Sequence, residues 1–111
     1  MKYGSFNIYC GLTVGQAGKQ KGYKISFTYA QAERIVKDCL KTVKIDCATL
    51  TQHAKGIWKT TSEKSLVITI MSESDNKEIY EKVVNLVKLL KDLLMQDNIL
   101  LTFNEIRGAL L

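Results

Sequence analysis

The chain has 111 residues, 46% of them apolar and 24% charged, with no proline and a formal charge of +5. This composition argues against intrinsic disorder, and no uninterrupted apolar run reaches membrane-spanning length. One domain covering 1–111 is expected, long enough to bury a real core.

The charge is unevenly spread. Residues 1–59 hold ten Lys/Arg against three Asp/Glu, a balance of +7, whereas residues 60–111 hold six against eight, a balance of −2. A basic first half points to an acidic partner. The opening residues Met1–Phe6 have no long apolar segment and no small-residue cleavage pattern, so no signal peptide is expected. The expected location is the cytoplasm of a bacterial cell or a phage-infected host. Cys10, Cys39 and Cys47 form no C-x-x-C pair and read as buried free thiols.

In residues 5–10, Phe6, Ile8 and Cys10 alternate with Ser5, Asn7 and Tyr9, the period of a strand with one apolar face. Residues 11–24 then hold four of the seven glycines and three lysines without periodicity, a long connection. Thr28 and Gln31 form a capping box. Beyond it Tyr29, Ala32, Ile35, Val36, Cys39, Leu40 and Val43 recur at helical spacing. Residues 44–51 read as a second strand, and Gly56 marks a turn or bulge before Trp58. Ser65–Met71 is a β-branched, apolar run with polar flanks, the expected central strand.

Residues 75–96 carry a second amphipathic pattern, capped by Ser74 or Asp75, with Ile79, Val83, Leu86, Val87, Leu90, Leu93 and Leu94 as its stripe. Residues 98–103 make a last strand, and the apolar tail 104–111 is expected to dock. The order βαββαβ predicts an α+β, ferredoxin-like sandwich: a four-stranded antiparallel sheet with two helices on one face. The other face, which includes Tyr9, is a surface for self-association, so a homo-oligomer is expected.

Several segments carry a family resemblance. They are Phe6–Leu12, Thr49-Leu50, Gly56-Ile57-Trp58, Glu63–Ile68 and Gln96–Leu101. In these the chain resembles a small family of uncharacterised bacterial and phage α+β proteins. The resemblance implies the βαββαβ fold and no particular activity, cofactor or site. The stretch 15–24 is more basic than is usual in that family.

Two groups of residues suggest a site. In the first, Gly15 and Gly18 let the backbone approach an anion, Lys19, Lys21 and Lys24 add charge, and Thr28 opens the first helix. Neither a G-x-x-x-x-G-K-[ST] nor a G-x-G-x-x-G pattern is present. The N-terminus of the second helix is expected at the same end of the sheet. In the second group, Trp58 offers a stacking surface among His53, Lys55 and Lys59. This hairpin is expected at the opposite end, beside Arg107.

Enzymatic readings are weaker. His53 is the single histidine, Ser65, His53 and Glu63 match no nucleophile motif, and Glu63, Glu73 and Asp75 lack metal spacing. No metal and no cofactor are expected. The preferred reading is a non-enzymatic, oligomeric binder of a small anionic, nucleotide-like ligand, in the style of a phage anti-defence protein that sequesters a host nucleotide signal. The alternatives are a basic binder of nucleic acid or of an acidic host protein, and a small enzyme of unknown reaction. No membrane partner is expected.

Overall fold

The computed structural model describes residues 2–13, 26–58, 61–73 and 76–107, with residues 2–3, 53–58, 61–63 and 106–107 described by their backbone alone. The elements follow in the order β1 (Lys2–Gly11), α1 (Tyr29–Val43), β2 (Thr49–Trp58), β3 (Thr61–Glu73), α2 (Lys77–Leu93) and β4 (Leu100–Arg107). The strands form one sheet in the order β2-β3-β1-β4, and every neighbouring pair is antiparallel. This is the ferredoxin-like arrangement expected from the sequence.

The two central strands carry the densest apolar alternation. Phe6, Ile8 and Cys10 of β1 and Leu66, Ile68 and Ile70 of β3 are buried on one face. Ala32, Val36 and Cys39 of α1 and Val83, Leu86 and Leu90 of α2 join them in a single core. The edge strands contribute less, chiefly the half-buried Leu50 and Leu101. Burial of apolar area of this kind is the main stabilising term. Leaving Leu86 as alanine would cost about 2–5 kcal/mol.

The capping box forms as read. The Gln31 N–H donates to Thr28 Oγ1 at 3.1 Å, and the Thr28 N–H donates to Gln31 Oε1 at 2.9 Å. At its other end α1 stops at Lys44, which lies in the left-handed region at φ 63. The second helix is capped differently from expectation. Asn76, not Ser74 or Asp75, accepts the Ile79 N–H at 3.1 Å. The helix begins at Lys77, so the capping position falls later; residues 74 and 75 lie outside the described residues.

All four strands also differ from their expected bounds: β1 widens from 5–10 to Lys2–Gly11, and β4 starts at Leu100 rather than at 98. β2 starts at Thr49 rather than at 44 and continues to Trp58, so Gly56 is not a turn but is paired with Glu63. The irregularity lies earlier. Between Thr51↔Val67 and Ala54↔Ser65 β2 holds one extra residue, a bulge at Gln52–His53. β3 extends the expected 65–71 to Thr61–Glu73, and β4 takes up tail residues as far as Arg107. Pairing with a neighbour lengthens each strand past its apolar run, because backbone hydrogen bonding does not require apolar side chains. Residues 108–111 lie outside the described residues.

Cys10 and Cys39 are buried, but Cys47 is exposed, because it lies in the connection before Thr49 rather than in a strand. Burial pushes the Cys10 thiol up to about 12, with Cys39 adding to the rise. The face of the sheet away from the helices carries Asn7, whose Oδ1 accepts from Thr69 Oγ1 at 2.8 Å. Around that pair Tyr9, Met71 and Leu100 are exposed. No helix among the described residues is long and apolar enough to cross a membrane.

Candidate functional site

The end of the sheet where β1 finishes holds Thr28 and the part of β2 that carries His53, Lys55 and Trp58. β1 stays attached to β3 just past its end, where the Leu12 N–H donates to the Lys64 carbonyl at 3.0 Å. The chain leaves and returns through a narrow base. Thr13 bridges Ser26, and the Phe27 N–H donates to the Leu12 carbonyl at 2.7 Å. Leu12 is fully buried and anchors this base. Gly15, Gly18, Lys19, Lys21 and Lys24 belong to the connection it closes and lie outside the described residues. Thr28 follows directly, its hydroxyl oxygen engaged in capping α1.

The β2–β3 hairpin emerges from this same end. Gly11 pairs with Ser65, whereas the hairpin closes at Trp58↔Thr61. The last residues of β2 and the first of β3 therefore run past β1 as a two-stranded ribbon. The expectation that the hairpin sits opposite the Gly/Lys connection is overturned. The physical reason is the antiparallel pairing of β1 and β3: the start of β3 must lie beside the finish of β1. His53, Lys55 and Trp58 lie on the β2 limb of the ribbon; Lys59 lies outside the described residues.

The pairings of β1 with β3 and β4 also remove Arg107 and the N-terminus of α2 from this end. Arg107 pairs with Lys2, and Glu73 pairs with Tyr3, both at the far end of the sheet. The N-terminus of α2, which follows β3, therefore stands at that far end as well. Arg107 is not beside the hairpin, and the two helix N-termini do not share an edge.

Register brings in a residue that the sequence reading missed. Lys55 is directly opposite Lys64 on the ribbon. Like charges placed across an antiparallel pair are destabilising, by about 0.2–1 kcal/mol. An anion bound there would offset that repulsion. Lys64 also lies 5.9 Å from the centre of the Tyr29 ring, at the start of α1. The signal was available in principle, since Lys64 precedes the apolar run by two residues on its core-facing parity, but the partner strand could not be registered without the bulge.

Gln96 is a second missed residue. After α2 the chain turns through Met95, which lies in the left-handed region at φ 52. The Gln96 Nε2 then donates to the Thr13 carbonyl at 2.6 Å and to the Leu94 carbonyl at 3.1 Å. One side chain thus ties the α2–β4 turn to the base of the Gly/Lys connection. No local pattern announces a contact between residues so far apart in the chain. Chemically, this end combines a helix start, a registered lysine pair and the base of a basic connection, an arrangement suited to a small anion.

No family model matches the sequence, and no curated protein matches it. Solved structures do. A phage SAM lyase in complex with S-methyl-5'-thioadenosine superposes with a TM-score of 0.68 at 23% identity, over 93% of this chain and 81% of that one. A phage SAM lyase in its apo state gives a TM-score of 0.68 at 24% identity, over 92% and 79%. CPII, a nitrogen regulatory PII-like protein from Thiomonas intermedia K12 bound to ADP, AMP and bicarbonate, gives 0.52 at 12% identity, over 100% and 98%. At these identities the likeness is one of fold.

Proposed function

We propose that the protein binds a small, anionic, adenosine-containing ligand at the end of the sheet that holds the lysine ribbon. The observation that carries this reading is the Lys55–Lys64 pair, registered across the ribbon beside the base of the Gly/Lys connection. The similar structures support the ligand class. S-methyl-5'-thioadenosine, ADP and AMP, which those proteins hold, all contain adenosine. Lys55 and Lys64, with Lys19, Lys21, Lys24 and Lys59, would meet a phosphate, and Trp58 is the aromatic residue that the ribbon offers to a base. In this reading the protein sequesters its ligand without converting it, and self-association through the uncovered face around Tyr9, Met71 and Leu100 would bring neighbouring ribbons together.

Isothermal titration with AMP, ADP, S-methyl-5'-thioadenosine and SAM tests the reading. The phosphate-bearing pair should bind most tightly. Equal affinity for S-methyl-5'-thioadenosine and AMP would show that the lysines play no part. Native mass spectrometry of the same mixtures should show an oligomer retaining nucleotide.

The higher TM-score against the phage SAM lyase favours a second reading, in which the chain cleaves SAM. Its discriminator is chromatography after prolonged incubation: release of S-methyl-5'-thioadenosine faster than in a protein-free control would replace sequestration by catalysis. Electrostatics weighs toward the first reading, because SAM carries a sulfonium cation and the ribbon is cationic.

A further inference from the structure

The β2–β3 pairing contains two registers. From Thr49↔Thr69 to Thr51↔Val67 the strands keep one. From Ala54↔Ser65 to Trp58↔Thr61 they are offset from it by one residue, because β2 carries the bulge at Gln52–His53. Continued without the bulge, the first register would set Lys55 opposite Glu63 and Gly56 opposite Ser62. With the bulge, Lys55 stands opposite Lys64 and Gly56 opposite Glu63.

An offset of one residue transfers a strand's side chains to the other face. Lys64 shares the parity of the buried Leu66, so the lysine pair falls on the helix side of the sheet, where Lys64 lies 5.9 Å from the Tyr29 ring centre. Without the bulge Lys55 would take the parity of Val67 and Thr69, on the opposite side. The inserted residue is therefore what places two lysines together.

The two registers differ in their electrostatics. A lysine opposite a lysine is an unfavourable pair, whereas a lysine opposite a glutamate is a favourable one. Turn length does not forbid the second register. The closing pair Trp58↔Thr61 leaves two residues for the turn, and Ile57↔Thr61 would leave three, both lengths that hairpins use. The ribbon also lacks the dense apolar alternation that pins the central strands, and strands without it are prone to slip.

The strand is anchored up to the bulge. Gln52 Nε2 donates to Glu33 Oε2 of α1 at 2.9 Å, and Glu33 Oε1 lies 3.2 Å from Lys37 Nζ. Gln52 stands against Leu66 in either register, so this bond fixes β2 as far as Gln52 without choosing between them. The choice lies with the residues beyond, and an anion held between Lys55 and Lys64 would bias it by removing the repulsion.

We propose that the bulge is the positioning element of the lysine pair, and that the ribbon exchanges between the bulged register and one in which Lys55 meets Glu63, with a bound anion selecting the first. The ligand part of this inference rests on the anion-binding reading of this end; the two registers do not.

The test is NMR of the labelled full chain, free and saturated with AMP. Cross-strand backbone contacts of Gly56 with Glu63 report the bulged register, and contacts of Gly56 with Ser62 report the other. The free protein should show a minor Gly56–Ser62 set, with exchange broadening over 54–58 and 61–65 that AMP removes. Deletion of His53 keeps Lys55 opposite Lys64 without a bulge, so it should abolish the exchange and bind AMP at least as tightly as the wild type. Glu63→Gln, which leaves the chain length unchanged, should lower the minor population. The charge-conserving double variant A54K/K55A moves the lysine one position and should weaken AMP about tenfold. A free protein with neither the minor set nor exchange would overturn the second register. Tighter AMP binding by A54K/K55A would overturn the role of the bulge. Exchange in a protein that does not bind AMP would support the two registers and overturn the anion-binding reading alone.

Discussion

At one end of the sheet two lysines stand opposite each other on a ribbon; at the other, the rings of Phe6, Tyr80 and Phe103 gather where α2 meets the sheet. Both ends are built from the same four strands, and the difference arises from what each strand carries past the core. Within the core, alternation places Phe6, Ile8, Leu66 and Ile68 under the helices. Beyond it, the same parity presents whatever residue comes next. On the ribbon that is Lys64, whereas on the edge strand β4 Phe103 lies beside the core residue Phe6 with about half its surface in water. The core face of a strand is held to apolar residues by burial, whereas its extensions are free to carry ligand chemistry.

The largest effect that would separate the ends is on nucleotide affinity. Replacing Lys19, Lys21, Lys24, Lys55 and Lys64 together by glutamine should weaken AMP binding by about 100-fold or more, since each charge-assisted bond contributes about 1.5–3 kcal/mol. The melting temperature should not fall, because no core side chain changes. A lower melting temperature would show that these lysines hold the fold as well as the ligand.

Gly4→Ala acts on the other end. The added methyl meets the Phe103 ring, and overpacking of this kind costs about 1–3 kcal/mol. The variant should denature at lower urea while retaining AMP. An unchanged urea midpoint would mean that the Phe103 ring has room to move.

Gln96→Ala should be milder in stability, about 1 kcal/mol, because it removes one side-chain clamp on the Thr13 carbonyl. AMP affinity should fall several-fold if the clamp holds the base of the basic connection in place. Lys55→Gln alone sharpens the comparison further. It relieves the like-charge pair and keeps Lys64 beside Tyr29, so thermal stability should hold or rise by up to about 1 kcal/mol even as AMP binding weakens. A gain in stability with a loss of binding is the pattern of a site kept at a cost to the fold.

The smallest effect concerns the thiols. Cys47 should react with a thiol reagent in the native protein, and Cys10 and Cys39 should react only on unfolding. The Cys10 thiol has an ordinary value of 9.0 and is raised to about 12 in the fold. Its contribution to stability is therefore complete below pH 9.0 and is lost as the pH rises toward 12. A melting temperature that falls over that interval, and falls less in Cys10→Ala, would verify the sign.

Much of this was determined locally. The capping box of Thr28 and Gln31, the stripe through Val83, Leu86 and Leu90, and the alternation of Phe6, Ile8 and Cys10 each declare an element within a few residues, because helix and strand periodicities are short-range. The order of those elements was enough for the ferredoxin-like topology. The site was legible only as a set of residue types. The basic connection and the Trp58 segment could be singled out, but not their shared end, and Arg107 was grouped with the wrong one. Lys64, Gln96 and the meeting of Phe6, Tyr80 and Phe103 depend on strand register, on the bulge at Gln52–His53 and on contacts between residues far apart in the chain. Those are decided by how the whole core closes, because only antiparallel pairing of β1 with β3 fixes which connections leave the sheet together.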